Sequence, residues 1–175
     1  MNIKDTIAAI NQMPTDGVIE RYAIGGAVGA TFYLEPVATL DVDVFITFRP
    51  EAGSLLISPQ PIFDYFKARG GRLEGEYIVV AGWPVQFLPA ASPITEEALA
   101  QAVEKDVAGV SARVFTAEHL AAIALQTGRA KDKTRLLQFL EADALDLARF
   151  QAIIARHDLP GAWQRFEKQF LGDNP

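Results

Sequence analysis

The hydrophobic pattern changes period once along the chain, just after residue 89. Before that point apolar residues alternate or run in short β-branched stretches; after it they recur every three to four residues. Ile3, Ile7 and Ile10 mark an opening amphipathic helix over residues 3 to 12, limited by Pro14. Residues 18 to 24 read as a strand that runs into Gly25-Gly26. Residues 27 to 34 follow as a short helix stopped by Glu35-Pro36. The strongest strand spans residues 40 to 48. Its pleat sends Val42, Val44 and Ile46 to one side, and Asp41, Asp43, Phe45 and Thr47 to the other. Ile62, Phe63 and Phe66 predict a helix over residues 59 to 69. Two strands, 77 to 81 and 85 to 88, read as a hairpin with Gly82-Trp83-Pro84 as the turn. Beyond Pro93 the expected helices are 95 to 108, 116 to 127, 131 to 142, 144 to 156 and 161 to 171, with one late strand at 110 to 115.

This order predicts an α+β fold: a mixed β-sheet with flanking helices and a helical C-terminal half. Residues 1–94 form the expected α/β core. Residues 95–175 form a mainly helical region packed on it, contributing a strand near 110–115. No long linker separates the halves, so they should share a core or face each other across a cleft.

An apolar fraction of 50% fills such a core without covalent help. The chain of 175 residues has no cysteine, which removes disulfides, thiolate metal sites and cysteine nucleophiles; two histidines cannot build a histidine-rich centre. The net charge of −6, with no cluster of basic and aromatic residues, gives weak general attraction to long nucleic acids or anionic membranes. The first residues lack an export signal and no apolar run is long enough to span a bilayer, so a soluble cytoplasmic protein is expected.

Three features carry chemistry. A strand enters Gly25-Gly26 and then a short helix, which lets backbone N–H groups approach a phosphate. The next strand bears Asp41 and Asp43 on one face, a carboxylate pair able to grip divalent cations from one side. A later strand presents Gln86 between Val85 and Phe87. The Gly-Gly pair is neither a P-loop nor a Rossmann fingerprint, since no Gly-Lys-Ser or Gly-Lys-Thr follows and Gly25-Gly26-Ala27-Val28-Gly29 has the wrong order.

The segments Ile24-Gly25-Gly26 and Leu40-Asp41-Val42-Asp43-Val44, 14 residues apart between Gly26 and Asp41, resemble the nucleotidyltransferase superfamily that includes DNA polymerase beta. The stretch from Leu120 to Asp132, with Gly128-Arg129-Ala130-Lys131-Asp132, resembles abortive-infection-type nucleotidyltransferases, a group that includes toxins of toxin–antitoxin pairs. Together the resemblance covers about residues 18 to 141. It implies that Asp41 and Asp43 bind Mg2+, that Gly25 and Gly26 hold the phosphate end of a nucleoside triphosphate, and that Lys131 and Asp132 lie near the cleft. It further implies transfer to an RNA, protein or small-molecule hydroxyl, with an antitoxin-like protein or a second copy of the chain as partner. The sequence departs from the family at its third carboxylate, where the best match is Gln86, an amide that cannot accept a proton as Asp does. Glu74 and Glu76 are the nearby substitutes. No basic residue lies between Pro36 and Leu40, where many relatives carry one.

The catalytic set read from the sequence is therefore Asp41, Asp43 and Gln86, with Gly25, Gly26 and Lys131 toward the nucleotide. The Gln86 departure keeps a nucleotide- or metal-binding regulatory protein open beside the enzyme, and a purely structural role behind both. Lys131 and Arg135 read either as solvated i,i+4 neighbours or as contacts to a triphosphate or RNA end. His119 reads as a surface or half-buried residue, His157 as a cation at a helix C-terminus, Trp83 as a turn or packing anchor, and Trp163, Phe166 and Phe170 as a core stripe.

Overall fold

A computed structural model describes residues 3–36, 38–39, 41–48 and 58–172 of the chain. The elements run α1 (Ile3–Thr15), β1 (Ile19–Ile24), α2 (Gly26–Ala30), β2 (Val42–Phe48), α3 (Gln60–Lys67), β3 (Arg72–Glu74), β4 (Tyr77–Val80), β5 (Trp83–Pro89), α4 (Pro93–Ala100), β6 (Val103–Val107), β7 (Val110–Val114), α5 (Ala117–Thr127), α6 (Ala130–Glu141), α7 (Leu147–Arg156) and α8 (Pro160–Phe166). A π-helical turn, Glu167–Leu171, closes the described chain. No helix among the described residues is long and apolar enough to cross a membrane.

The fold is α+β, as the sequence indicates. Its seven strands form one mixed sheet in the order β3-β4-β5-β2-β1-β7-β6. β1 runs antiparallel to β2, while β2–β5 and β1–β7 are parallel. The sheet separates two apolar cores. On one side Ile7, Ile10 and Met13 of α1, with Ile62 and Phe66 of α3, cover Val42, Val44, Ile46 and Val85. On the other, Ile94, Leu120, Phe139, Phe150 and Trp163 from the later helices pack around Phe115. Of the expected core stripe, Trp163 and Phe166 are a stacked pair 5.7 Å apart within this core, whereas Phe170 packs on Phe166 from an exposed position outside it.

Several expectations need correction. Residues 95 to 108 are not one helix: α4 ends at Ala100, and Val103–Val107 is an edge strand paired antiparallel to β7. Glu104, Lys105 and Asp106 hide its strand character, because an edge strand with solvated faces needs no apolar alternation. The C-terminal half thus supplies two strands to the sheet. The β4–β5 turn is Ala81-Gly82, both at positive φ (50° and 87°), and Trp83 and Pro84 already belong to β5. Ala108-Gly109 makes the same kind of turn between β6 and β7, with φ of 51° and 85°. The strand expected from Leu40 begins at Val42; Leu40 itself lies outside the described residues.

A polar hub fastens the helical layer. Glu97 of α4 accepts from His157 Nε2 at 2.7 Å, from His119 Nε2 at 3.3 Å, and from the Arg156 guanidinium. His119 is fully buried, contrary to the surface or half-buried position expected for it, because Glu97 and Thr116 satisfy both ring nitrogens. The Thr116 hydroxyl, 2.8 Å from Nδ1, donates to it and leaves Nε2 as the N–H toward Glu97. His157 is the residue after α7 and also serves Glu97. The Arg156 hydrogen bond, ahead of those from the two histidines, draws the Glu97 carboxyl down to about 2 despite opposing desolvation. Burial depresses His119.

Both shifts make the fold acid-sensitive. The unfolded chain takes up protons that the folded hub refuses, so stability falls as pH drops below 6.5, the unshifted histidine value, and again from 4.5 toward 2. Replacing Glu97 with alanine leaves the His119 N–H without its partner and should cost about 3 kcal/mol. Thermal melts between pH 8 and pH 2 should show this loss at neutral pH, and the Glu97 contribution should shrink only as pH falls from 4.5 toward 2. Parallel melting curves across that range would refute the hub's role.

Candidate functional site

The site begins where β1 stops. The Gly25 N–H donates to the Asp43 carbonyl at 2.9 Å, and Gly29 N–H to the Gly25 carbonyl at 2.8 Å, so one glycine joins β2 to the first turn of α2. A Cβ on Gly25 would strike the Phe45 ring at 2.6 Å. Gly26 has φ +57°, and a Cβ there would sit 1.9 Å from Asp43 Oδ2. The second glycine is thus required twice, by its backbone conformation and by the carboxylate resting against it.

Asp43 lies on β2 in direct register with Gln86 on the parallel strand β5. Neighbouring residues in parallel register project to the same face, so both enter one cleft. Asp41 precedes β2 by one residue, where Thr39 Oγ1 reaches its carbonyl at 3.2 Å and its carboxylate at 3.3 Å. The cleft encloses about 990 Å³ and is lined by Gly26, Asp41, Asp43, Glu74, Glu76 and Gln86 on the sheet side. Arg129, Lys131, Asp132 and Arg135 line the side formed by the start of α6. Gly25 stands behind this surface as a backbone support, and Trp83 is absent from it, packing instead against the α1–α3 core.

Electrostatics divide the cleft. Desolvation raises the Asp43 carboxyl above its ordinary range and Asp41 adds to the rise, while Lys131, Arg135 and Arg129 oppose it from across the gap. The chain supplies the basic groups through α6, about ninety residues beyond the Pro36–Leu40 stretch that lacks them. Arg129 Nε donates to Asp132 Oδ2 at 2.6 Å, and Arg135 lies 3.7 Å from the other carboxylate oxygen. Lys133 turns away from this wall toward the Phe170 ring, 5.8 Å from its centroid. Glu74 forms an exposed ion pair with Arg72 at 3.0 Å.

Among the described residues no group of three His, Cys, Asp or Glu side chains converges as a metal cage. Two carboxylates and the Gln86 amide oxygen are the oxygen donors at the Asp41–Asp43 face. That set fits Mg2+, which binds through one or two carboxylates and completes its shell with substrate phosphates and water. Sequence reasoning overlooked Tyr77 and Thr39, which line the cleft beside Asp41. Desolvation and then the Asp41 and Glu76 charges raise the Tyr77 hydroxyl. Neither residue carries a motif that could have flagged it.

No family model matches the chain, and no curated protein matches it. Solved structures do. An antigenic nucleotidyltransferase-like protein from Paracoccidioides brasiliensis is 15% identical over 93% of this chain and 92% of its own, with a TM-score of 0.56. The antibiotic-resistance factor ANT(2'')-Ia in complex with adenylyl-2''-tobramycin is 16% identical over 94% and 96%, with a TM-score of 0.54. The solution structure of ANT(2'')-Ia is 14% identical over 94% and 98%, at 0.52. The chain therefore has the nucleotidyltransferase fold.

Two substitutions test the geometry. Gly26→Ala should destabilise the protein by about 1–3 kcal/mol, through strain at positive φ and displacement of Asp43. Asp43→Asn should have the opposite sign in chelator at neutral pH. A carboxyl raised by the fold opposes folding wherever it is ionised, and that penalty fades only as pH falls through its folded value toward 3.8. The asparagine variant should thus melt above wild type at pH 7 without divalent cations, and a lower melting temperature would contradict the desolvated placement of Asp43.

Proposed function

We propose that the chain is an Mg2+-dependent nucleotidyltransferase that moves a nucleotidyl group from a nucleoside triphosphate to a hydroxyl acceptor. The observation that carries this reading is the two-sided cleft, with Asp41, Asp43 and Gln86 facing Arg129, Lys131 and Arg135 beside the Gly25-Gly26 turn. Asp41 and Asp43 would hold the ion, which when bound supplies charge neutralisation at the phosphates and a lowered barrier to hydroxyl attack. Gly26 leaves room for close backbone approach at the head of α2. The α6 cations meet the phosphates that leave as pyrophosphate, favouring the charge that develops there. The acceptor oxygen bonds to the α-phosphorus as the bond to the bridging oxygen breaks. Gln86 can orient the acceptor by accepting its hydrogen bond but cannot take its proton, which would pass to Glu74 or Glu76, the other carboxylates on the sheet side of the cleft.

The acceptor divides into two classes. Resemblance to abortive-infection proteins favours RNA or protein, with an antitoxin-like partner or a second copy of the chain and a cytoplasmic setting. ANT(2'')-Ia, captured with an adenylylated small molecule, favours a small hydroxyl compound, as does a chain charge of −6. One observation supports a second reading, a nucleotide-binding regulatory protein: the neutral Gln86 stands in register with Asp43 where the resembled family places a carboxylate.

Calorimetric titration of nucleoside triphosphate with Mg2+ should show binding that Asp41→Asn with Asp43→Asn abolishes while circular dichroism is unchanged. Equal affinity in wild type and double variant would remove the metal site. Labelled-nucleotide transfer to RNA, protein and small-molecule fractions then separates the two functions. Wild-type labelling lost in Asp41→Asn supports the enzyme and identifies the acceptor class. Labelling that arises only in Gln86→Glu, which adds the missing charge and proton acceptor at nearly the same length, supports the regulatory protein.

A further inference from the structure

We infer that Asp132 is a positioning residue for phosphate recognition: its buried carboxylate aims Arg129 and Arg135 into the cleft at the β- and γ-phosphates of the nucleotide. This rests on the nucleotidyl-transfer reading of the site. Asp132 is 2% exposed, the one aspartate among the buried polar and charged side chains of the described residues. Arg129 grips both of its oxygens, and Arg135 comes near one of them. Arg129 binds through Nε at 2.6 Å and Nη2 at 3.3 Å, and Arg135 approaches the second oxygen at 3.7 Å. The two arginines differ in freedom, with side-chain exposures of 60% and 17%, yet both line the cleft. The hydrogen bond that Arg129 donates to Asp132 is also the largest cause of the raised Arg129 basicity.

A flexible arginine loses several rotamers when it grips a ligand, and a fixed carboxylate behind it removes part of that loss beforehand. Forked guanidiniums held at one end keep their remaining N–H groups for phosphate oxygens. Lys131 has no ion-pair partner among the described residues and adds a third positive charge to the same wall. Asp132 also occupies the first turn of α6, where any acid favours the helix dipole. An acid acting only on the helix would change stability without regard to the number of phosphates on a ligand.

Charge alone and positioning predict opposite signs for Asp132→Asn. Removing a negative charge from the basic wall should tighten an anion if electrostatics dominate. Removing the anchor should weaken it if geometry dominates. Dissociation constants of wild type and Asp132→Asn would be measured for nucleoside triphosphate, diphosphate and monophosphate with Mg2+, using one base throughout. The expected result is a loss of about tenfold or more for the triphosphate, shrinking toward none for the monophosphate. Arg129→Gln and the double variant Arg129→Gln with Asp132→Asn should not be additive, since Asp132 acts through the arginine. Tighter triphosphate binding, a loss equal for all three nucleotides, or additive effects would overturn the inference. If Asp132→Asn does not fold, Arg129→Gln and Arg135→Gln carry the test on their own. A loss that fails to grow with phosphate number in both overturns the inference equally. Wild type that binds no nucleotide overturns the transfer reading together with this one, whereas wild-type binding indifferent to Asp132 overturns this one alone.

Discussion

The contact on which the site depends is the seating of the Asp43 carboxylate against the bare Cα of Gly26. A Cβ at that glycine would come within 1.9 Å of the oxygen, so the carboxylate can occupy its place only where the chain turns with positive φ and no side chain. The same turn lets Gly25 donate to the Asp43 carbonyl, which fixes the end of β1 against the start of β2. Strand pairing, the start of α2 and the position of an acid in a partly desolvated cleft are therefore one arrangement. Its cost in the free protein is a carboxyl raised above its ordinary range; a cation between the two aspartates would reverse that sign.

The second constraint is charge opposition. The sheet contributes acids and the head of α6 contributes bases, so the cleft has polarity although the whole chain is acidic. On the proposed reading, a nucleotide with an attached divalent ion would match both walls, the ion meeting the aspartates and the outer phosphates the guanidiniums. Gln86 breaks the symmetry of the acidic wall. It stands in register with Asp43 without a charge, which on the same reading would shift the balance from proton abstraction toward binding and orientation.

Holding the second wall in place is the task of the helical layer. Glu97 joins α4 to α5 through His119 and to the end of α7 through Arg156 and His157. α5 leads directly through Gly128, a left-handed C-cap, into Arg129 and the start of α6. The Glu97 hub thus holds one end of α5, and the basic wall follows directly from the other. The aromatic stack of Phe150, Trp163 and Phe166 covers the far side of the same layer.

Local rules made much of this readable in the sequence. Alternation along β2 assigned Val42, Val44 and Ile46 to the core and Asp41 and Asp43 to the opposite face, because side chains two apart on a strand must share a side. Paired glycines after a strand marked a turn, and the departure at Gln86 was visible in residue type alone. Tertiary structure decided the rest, for the physical reason that its determinants are not local. β6 is a strand because β7 pairs with it through the Ala108-Gly109 turn; its own Glu-Lys-Asp run carries no apolar period. His119 is buried because Glu97 and Thr116 satisfy its nitrogens, and the Glu97 partner lies 22 positions away. The Arg129–Asp132–Arg135 spacing was present in the sequence, but only the packing of α6 against α5 decided that this face, and not a solvated one, meets Asp43 across the cleft.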